Sequence, residues 1–149
     1  MKKVVVVGAG GFGREVMEIF KDENKIGKKW DIVGFIDEDL AIHGKCINGF
    51  PVIGGLDWLI ENNSKEIGCV IAVGNPKTKK LIVDKLKNNE INFVNAIHPS
   101  VMMSEYVELG EDVIICAGTI LTVNITIGNH VIININSTIG HDAIIKDYC

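Results

Sequence analysis

The fold is decided by residues 109–145, LGEDVIICAGTILTVNITIGNHVIININSTIGHDAII, in which the pattern repeats every six residues. One position of every hexad is leucine or isoleucine: Leu109, Ile115, Leu121, Ile127, Ile133, Ile139 and Ile145. The position two residues before it is small or β-branched: Val113, Thr119, Ile125, Val131, Ser137 and Ala143. A strict six-residue period fits neither a helix nor an ordinary strand, and it predicts a parallel β-helix with both positions pointing inward.

The number of hexads sets the length of this β-helix. Three hexads make one triangular coil, so the chain from residue 97 onward provides about two and a half coils. The last coil of a solenoid needs a cap, since its apolar surface and strand edges are otherwise exposed. Nothing after Asp147 resembles a cap, and we therefore expect the chain to be cut within its repeats.

The preceding part of the chain alternates short apolar runs with helical patterns. We expect strands at Val4–Val7, Ile32–Ile36, Cys69–Val73 and Ile91–Val94, and helices over 14–23, 56–60 and 81–86. Strands that alternate with helices predict a parallel sheet covered by helices. We therefore divide the chain into an α/β domain, residues 1–96, and an incomplete β-helix domain, residues 97–149.

Composition excludes several classes of protein. The chain has 149 residues, 47% of them hydrophobic and 23% charged, which is enough for a globular core. Its net charge is −4, whereas a nucleic-acid-binding protein needs a basic face. Residues 113–141 carry no Asp, Glu, Lys or Arg, but asparagine and histidine interrupt them too often for a membrane span. The four cysteines lack metal-like spacing, so we expect reduced thiols in a soluble, cytoplasmic protein without a metal.

A glycine-rich loop follows the first predicted strand. Its glycines are Gly8, Gly10, Gly11 and Gly13, in the pattern GxGxxG. Residues without side chains let backbone N–H groups approach a phosphate at the start of a helix. Asp37 ends the second strand, where an acid can bind a ribose hydroxyl. A nucleotide or nucleotide sugar is the favoured ligand. NAD is disfavoured because four strands supply little more than one mononucleotide half, and a turn without any ligand is the third alternative.

Two further groups are expected at the same edge of the sheet. Glu38 follows Asp37, and Gly74 and Asn75 follow the third strand. Ligands of open parallel sheets bind outside the carboxyl ends of the strands, which makes these residues candidates for binding. A solvated acidic turn and an ordinary turn before Pro76 remain the structural alternatives.

His141 and Asp142 form a candidate catalytic pair. The hexad places both at a corner of the β-helix, where they can leave the prism together, whereas neighbours in a strand point to opposite sides. A histidine beside a carboxylate can act as a general base, with the carboxylate orienting the ring and stabilising its protonated form. From the residues alone, a solvent-exposed turn remains an alternative.

Several short motifs follow the glycine loop in a fixed order. They are FIDE at Phe35–Glu38, PVIGG at Pro51–Gly55, AVGN at Ala72–Asn75, IHPS at Ile97–Ser100 and GHD at Gly140–Asp142. Together with the hexads they span the whole chain. This order resembles the sialic acid O-acetyltransferase family of hexapeptide-repeat acyltransferases, which includes the PglD- and NeuD-type nucleotide-sugar N-acetyltransferases.

The resemblance implies an acetyl-CoA-dependent enzyme of bacterial surface-glycan biosynthesis that acetylates an amine or hydroxyl of a nucleotide-linked sugar. It implies a Rossmann-like half domain that binds the UDP part of an amino-sugar nucleotide, followed by a left-handed β-helix. The positions that match the nucleotide-sugar site are Gly8, Gly10, Gly11, Gly13, Asp37, Glu38, Gly74 and Asn75. His141 matches the general base and Asp142 the acid that assists it. The family forms homotrimers that hold acetyl-CoA between neighbouring β-helices.

Three features depart from the family pattern. Phe12 stands where many members have histidine, and Asp142 is shorter than the glutamate of some members. Most contacts to CoA come from coils that would follow Cys149. The activity of this chain on its own is therefore an open question, and a non-catalytic nucleotide-sugar-binding fragment is the first alternative. An NAD-dependent oxidoreductase is the second, although the hexads occupy the place where such an enzyme needs further strands.

Overall fold

The central strand of the sheet is built from four consecutive valines. The computed structural model describes residues 1–62 and 65–149, and its first strand, β1, is Lys2–Val7. Side chains of a strand alternate between the two faces. Val4 and Val6 accordingly lie in one buried cluster, and Val5 and Val7 lie in another. The run of β-branched residues thus forms a strand that is covered on both faces, as the sequence predicts.

Five parallel strands and a short antiparallel one form the sheet of the first domain. The strands besides β1 are β2 (Trp30–Ile36), β3 (Cys46–Ile47), β4 (Phe50–Gly54), β5 (Ile67–Ile71) and β6 (Asn92–Phe93). Their order is β3-β4-β2-β1-β5-β6, with only β3 antiparallel to its neighbour among the described residues. The chain reverses its direction of travel across the sheet between β1 and β5, which is where open α/β sheets bind ligands.

Three helices cover the two faces of the sheet. They are α1 (Gly11–Ile26), α2 (Leu56–Glu61) and α3 (Pro76–Leu86). The buried side chains of α1 pack on one face, and those of α2 and α3 pack on the other. None of the helices among the described residues is long and apolar enough to cross a membrane.

The hairpin of β3 and β4 gives the sheet more strands than the sequence predicts. The sequence pattern predicts four strands in this domain, whereas β4 adds a fifth parallel strand next to β2. Asn48 and Gly49 connect β3 to β4, and both have positive φ, 50° and 85°. Asn-Gly with this backbone is the preferred two-residue turn of a hairpin.

The second domain is a parallel β-helix, as the hexads predict, and it is left-handed, as the family resemblance implies. Its strands are β7 (Ala96–Ile97), β8 (Met102–Met103), β9 (Val107–Leu109), β10 (Ile114–Ile115), β11 (Ile120–Leu121), β12 (Ile125–Ile127), β13 (Ile132–Ile133), β14 (Thr138–Ile139) and β15 (Ile144–Ile145). They form three parallel sheets, β7-β10-β13, β8-β11-β14 and β9-β12-β15. Each sheet therefore has three strands, and residues 96–149 make three coils where the hexads indicate about two and a half. The additional strands, β7 and β8, precede the regular hexads.

The inward positions of the hexads form the core of the β-helix. Its fully buried members are Val113, Ile115, Leu121, Ile125, Ile127, Val131 and Ile133, and the other inward aliphatic residues pack against them. A second core connects the domains, because Ala96, Ile114 and Cys116 lie in the same buried cluster as the apolar face of α1.

Seven successive corners of the β-helix, from residue 112 onward, use a left-handed backbone conformation. The residues with positive φ follow one another at six-residue intervals: Asp112, Gly118, Asn124, His130, Asn136, Asp142 and Tyr148. Since a coil has eighteen residues, Asp112, His130 and Tyr148 occupy the same corner of three successive coils. We call these three residues the corner column.

Candidate functional site

The four glycines of the glycine-rich loop differ in their surroundings. A Cβ atom on Gly13 would overlap the carbonyl group of Gly8, and one on Gly8 would lie 2.8 Å from the Ala72 carbonyl oxygen. These two glycines allow helix, loop and strand to pack closely. A Cβ on Gly10 would meet nothing within 4 Å, and one on Gly11 would meet only Arg14, at 3.7 Å. The backbone at Gly10 and Gly11 is therefore open to a ligand.

The first turn of α1 keeps its N–H groups available. Gly10 is the N-cap residue, so it provides no capping side chain, and the first turn carries no acidic residue. Free N–H groups and the positive end of the helix dipole together favour an anion at this position. This geometry agrees with the phosphate-binding role that the sequence predicts for the loop.

Asp37 and Glu38, the acidic residues after β2, accept hydrogen bonds from backbone N–H groups near the glycine-rich loop. Asp37 accepts a hydrogen bond from Ala9 N at Oδ2 and one from Asp39 N at Oδ1, both of 2.9 Å. Glu38 accepts a 3.0 Å bond at Oε1 from Leu56 N, at the start of α2. Asp37 thereby ties the glycine loop to the end of β2, and it positions the loop whether or not it contacts a ligand.

A cleft of about 330 Å³ opens at the carboxyl edge of the sheet, between α2 and α3. Its polar lining comes from Asp37, Glu38, Thr78 and Lys85, beside the backbone of Gly8. The remaining lining residues are aliphatic: Val7, Ile36, Leu56, Val73, Leu81 and Ile82. We call this space the edge cleft. Clefts of this kind, mostly apolar with a few polar groups, are typical of small-molecule sites.

Gly74 and Asn75 lie outside the edge cleft. The strand β5 ends at Ile71 rather than at the predicted Val73, and the turn that follows leads into α3. Asn75 is the N-cap of α3, with its Oδ1 accepting a 3.0 Å hydrogen bond from Thr78 N. Gly74 lines a different cavity, about 200 Å³, between the two domains. We call it the junction cavity.

His141 and Asp142 form the pair expected at a coil corner. His141 Nδ1 lies 2.8 Å from Asp142 Oδ2, and the side chains are 79% and 78% exposed. Asp142 has the left-handed backbone of the other corners, with φ of 64°. Neither residue lines the edge cleft, so within one chain the structure does not bring this pair to the glycine loop.

A buried polar cluster between the domains was not predicted. Asp112 accepts a 2.7 Å hydrogen bond from Ile71 N and lies 2.8 Å from His130 Nδ1. Lys79 Nζ lies 3.2 Å from Asp112 Oδ2, with the two side chains 1% and 0% exposed. We call Lys79, Asp112 and His130 the junction cluster. Only the eighteen-residue spacing of Asp112 and His130 is visible in the sequence.

Burial controls the ionisation of groups near this cluster. It lowers the pKa of the Lys79 ammonium, an effect that the Asp112 carboxylate opposes. Burial also raises the pKa of the Cys69 thiol well above its usual value, and the negative charges of Asp112 and Glu111 add to this.

Within residues 1–62 and 65–149, no three His, Cys, Asp or Glu side chains lie close enough together to hold a metal ion.

Comparison with known proteins identifies relatives with the same architecture. UDP-N-acetylbacillosamine N-acetyltransferase of Bacillus subtilis is 27% identical over 127 residues, covering 78% of this chain and 52% of that protein. The acetyltransferase domain of PglB from Neisseria gonorrhoeae, solved with acetyl coenzyme A, has a TM-score of 0.83 and 26% identity, covering 99% of this chain and 68% of that chain. PerB from Caulobacter crescentus, solved with CoA and GDP-perosamine, has a TM-score of 0.86 and 27% identity, covering 100% and 68%.

These matches confirm the resemblance that the sequence motifs indicate. The chain spans about half the length of the curated relative that it matches. A family match covers residues 3–86, which include the glycine loop, the acidic residues after β2 and all of α3. Because this match extends over more than half of the chain, the protein belongs to the family defined by the PglD N-terminal domain.

Proposed function

We propose that the protein is an acetyl-CoA-dependent acetyltransferase that acts on the amine or hydroxyl of a nucleotide-linked sugar. One observation carries this proposal: an open glycine loop beside the edge cleft shares a chain with a β-helix whose exposed corner presents His141 and Asp142. The named relatives support it, since they are a UDP-N-acetylbacillosamine N-acetyltransferase, an acetyltransferase domain solved with acetyl-CoA, and a protein solved with CoA and GDP-perosamine.

The nucleotide is expected at the carboxyl edge of the sheet. The N–H groups of Gly10 and Gly11 receive the diphosphate, and the apolar walls of the edge cleft cover the nucleoside. Lys85 lines the same cleft and offers a positive charge to the phosphates. Asp37 and Glu38 fix the loop and the start of α2 through their hydrogen bonds to the backbone. We assign the ligand as a uridine nucleotide sugar.

His141 is assigned as the general base of acetyl transfer. With its Nδ1–H donating to Asp142, the ring keeps a lone pair on Nε2 that can take a proton from the acceptor. The acceptor nitrogen or oxygen then forms a bond to the acetyl carbonyl carbon. The resulting tetrahedral species breaks its C–S bond, and the CoA sulfur leaves and recovers the proton from His141. Asp142 stabilises the positive charge on the ring in the meantime.

We further propose a homotrimer built through the β-helices, with acetyl-CoA held between neighbours. Met102 and Ile120 lie side by side on β8 and β11, exposed by 66% and 39%, and Ile144 is 73% exposed on β15, which belongs to a different sheet. Exposed apolar rows of this kind mark protein interfaces. We place the enzyme in the cytoplasm, where its unpaired cysteines remain reduced.

Ligand-induced thermal stabilisation tests this function against its alternatives. UDP-N-acetylglucosamine and UDP are expected to raise the melting temperature of the chain, whereas NAD is expected to leave it unchanged. In a protein of full family length, acetyl-CoA is expected to release thiol only when an amino-sugar nucleotide is present. Stabilisation by NAD alone would support an oxidoreductase. Binding of the sugar nucleotide without thiol release from any acceptor would support a non-catalytic binding module.

A further inference from the structure

One carboxylate of the β-helix holds two elements of the α/β domain. Asp112 is fully buried, and its Oδ1 accepts a 2.7 Å hydrogen bond from the N–H of Ile71, the last residue of β5. Its Oδ2 lies 3.2 Å from the ammonium nitrogen of Lys79 on α3. The turn between β5 and α3 is therefore fixed at both of its ends by the same side chain.

The Asp112 carboxylate is itself fixed by an aromatic stack. His130 Nδ1 lies 2.8 Å from Asp112 Oδ2. The His130 ring makes a T-shaped contact with Phe93 of β6, with centroids 5.2 Å apart, and it stacks on Tyr148 with centroids 5.0 Å apart. A group held by packing and hydrogen bonds in this way can position the groups that contact it.

The ion pair with Asp112 anchors the first half of α3. Lys79 and Leu86 are the buried residues of this helix, and Leu86 is its last residue. The three residues before Lys79 are exposed. Lysine is almost never fully buried unless its charge is paired. Since Lys79 is the buried side chain of this half and its partner is Asp112, the position of the half helix depends on the β-helix.

The same half of α3 forms one wall of the edge cleft. Thr78 and Leu81 line the cleft from α3, and Val73 lines it from the turn after β5. Leu56 lines it from the start of α2, where the backbone N–H of Leu56 is held by Glu38 Oε1 at 3.0 Å. The width of the cleft is thus set by the α/β domain on one side and by the β-helix on the other.

The end of β5 also lies beside the glycine-rich loop. Ala72 N donates a 2.8 Å hydrogen bond to Val7 O, at the end of β1. A Cβ atom on Gly8 would lie 2.8 Å from the carbonyl oxygen of Ala72, so the two backbones are already in close contact. A shift at the end of β5 would therefore reach the loop as well as the cleft.

We propose that Asp112 is a positioning residue for nucleotide-sugar binding, which holds the α3 wall of the edge cleft from the β-helix. Asp112 does not line the cleft, so it acts through Ile71 and Lys79 rather than by contact with the ligand. This inference rests on the proposed function. It adds that the nucleotide site of the α/β domain has its full affinity only when the β-helix is packed against that domain.

A double variant tests this role without leaving a buried charge unpaired. Lys79→Met combined with Asp112→Asn removes both charges, and asparagine tolerates the positive φ of this corner, 52°, and keeps an acceptor for Ile71 N. Titration calorimetry with UDP-N-acetylglucosamine and with GDP-mannose gives the dissociation constant and the stoichiometry. For the nucleotide sugar that binds the wild type, the double variant is expected to raise the dissociation constant about 10-fold, within the range of about 5–150-fold that is typical of coupled sites.

The stoichiometry separates positioning from folding. Well below the melting temperature, a partly misfolded preparation lowers the stoichiometry and leaves the dissociation constant of the folded molecules unchanged, whereas a displaced cleft wall does the reverse. Asp147→Asn is the matched control, because Asp147 Oδ1 accepts a 2.8 Å hydrogen bond from Asn129 N within the β-helix. This control is expected to keep the wild-type dissociation constant.

A second variant avoids buried residues and therefore does not endanger folding. Lys80 Nζ lies 5.8 Å from the centroid of the Tyr148 ring, and this cation–π contact also links α3 to the β-helix. Lys80→Met is expected to raise the dissociation constant in the same direction, by about 2-fold, since an exposed contact of this kind is weak. Lys77→Met removes an exposed lysine of the same helix and is expected to leave it unchanged.

The possible results separate this inference from the proposed function. A folded double variant with wild-type affinity, or with only a lower stoichiometry, would show that Asp112 serves folding alone, and the inference is then wrong. If the double variant does not fold, wild-type affinity in Lys80→Met decides against the inference in the same way. If the wild-type chain binds neither nucleotide sugar, the proposed function itself is wrong.

Discussion

His141 and Asp142 stand together at a corner of the third coil, with most of both side chains in solvent. Such a pair contributes little to stability, since exposed ion pairs are worth about 0–1 kcal/mol. Replacing His141 therefore tests chemistry rather than folding.

His141→Ala is expected to lower kcat for acetyl transfer by about 10²–10⁴-fold, the usual contribution of a general base. The assay requires a protein of full family length, and the melting temperature of the variant should equal that of the wild type. Asp142→Asn is expected to cost less, because the base remains and asparagine also tolerates the positive φ of this corner. An alanine variant with nearly full activity would reduce the pair to an ordinary surface turn.

The glycine-rich loop between β1 and α1 requires glycine at one position but has room for a side chain at another. Gly13→Ala would place a methyl group against the Gly8 carbonyl and force α1 away from β1. We expect a loss of about 1–3 kcal/mol in the free energy of unfolding, the typical cost of overpacking. Gly11→Ala, in the same loop, meets only Arg14 at 3.7 Å and is the control, with an expected change below about 0.5 kcal/mol. Urea denaturation measures both. Equal losses in the two variants would mean that the loop does not pack as described.

Sequence patterns predict those elements in which every residue is constrained by the core. The hexads predict the β-helix because the inward side chain of each hexad must fill the interior of the prism. The valines of β1 predict the central strand because side chains on both faces of that strand are buried in the core. The hairpin was missed because β3 has only two residues and β4 contains Pro51 and ends in glycine, both uncommon within strands, although Asn48-Gly49 was a usable turn signal.

Long-range polar contacts could not be predicted in this way. Asp112 receives a hydrogen bond from Ile71, 41 residues away in sequence, and pairs with Lys79 from a third element. Hydrophobic periodicity carries no information on such pairs. The glycine loop and the His141–Asp142 pair were recognisable because each is contiguous in sequence, whereas the junction cluster required the packed domains.

The junction cluster helps to hold the α/β domain against the β-helix. Asp112→Ala leaves the buried Lys79 ammonium without a counter-charge and removes the acceptor for Ile71 N. We expect a loss of about 3–5 kcal/mol in the free energy of unfolding, as for other broken buried ion pairs. Asp84→Ala removes an exposed partner of Lys80 and is the control, with an expected loss below about 0.5 kcal/mol. Denaturant titration measures the free energy of unfolding of both variants. Similar losses in the two would mean that the buried ion pair does not stabilise the junction between the domains.

The packing of both domains also determines which thiols react. Cys46 and Cys149 are exposed, whereas Cys69 and Cys116 are buried. Burial raises the pKa of the Cys116 thiol to about 12, with Glu15 adding to the effect, and it also raises the pKa of Cys69. The thiolate is the reactive form, so a higher pKa means less of it at a given pH. At pH 8 a disulfide reagent should label two thiols in the folded chain and all four after denaturation. Rapid labelling of four thiols in the folded chain would show that the domain junction is open.

Titration calorimetry of Gly11→Trp against the wild type decides whether this chain binds a nucleotide sugar through its glycine loop. A side chain at Gly11 projects into open space, so the variant should fold while blocking the approach of a phosphate to the start of α1. We predict that the wild type binds UDP-N-acetylglucosamine but not NAD, and that Gly11→Trp loses this binding. NAD binding by the wild type without any response to the sugar nucleotide, or sugar-nucleotide binding that Gly11→Trp leaves unchanged, would show that the glycine loop is not a nucleotide-sugar site.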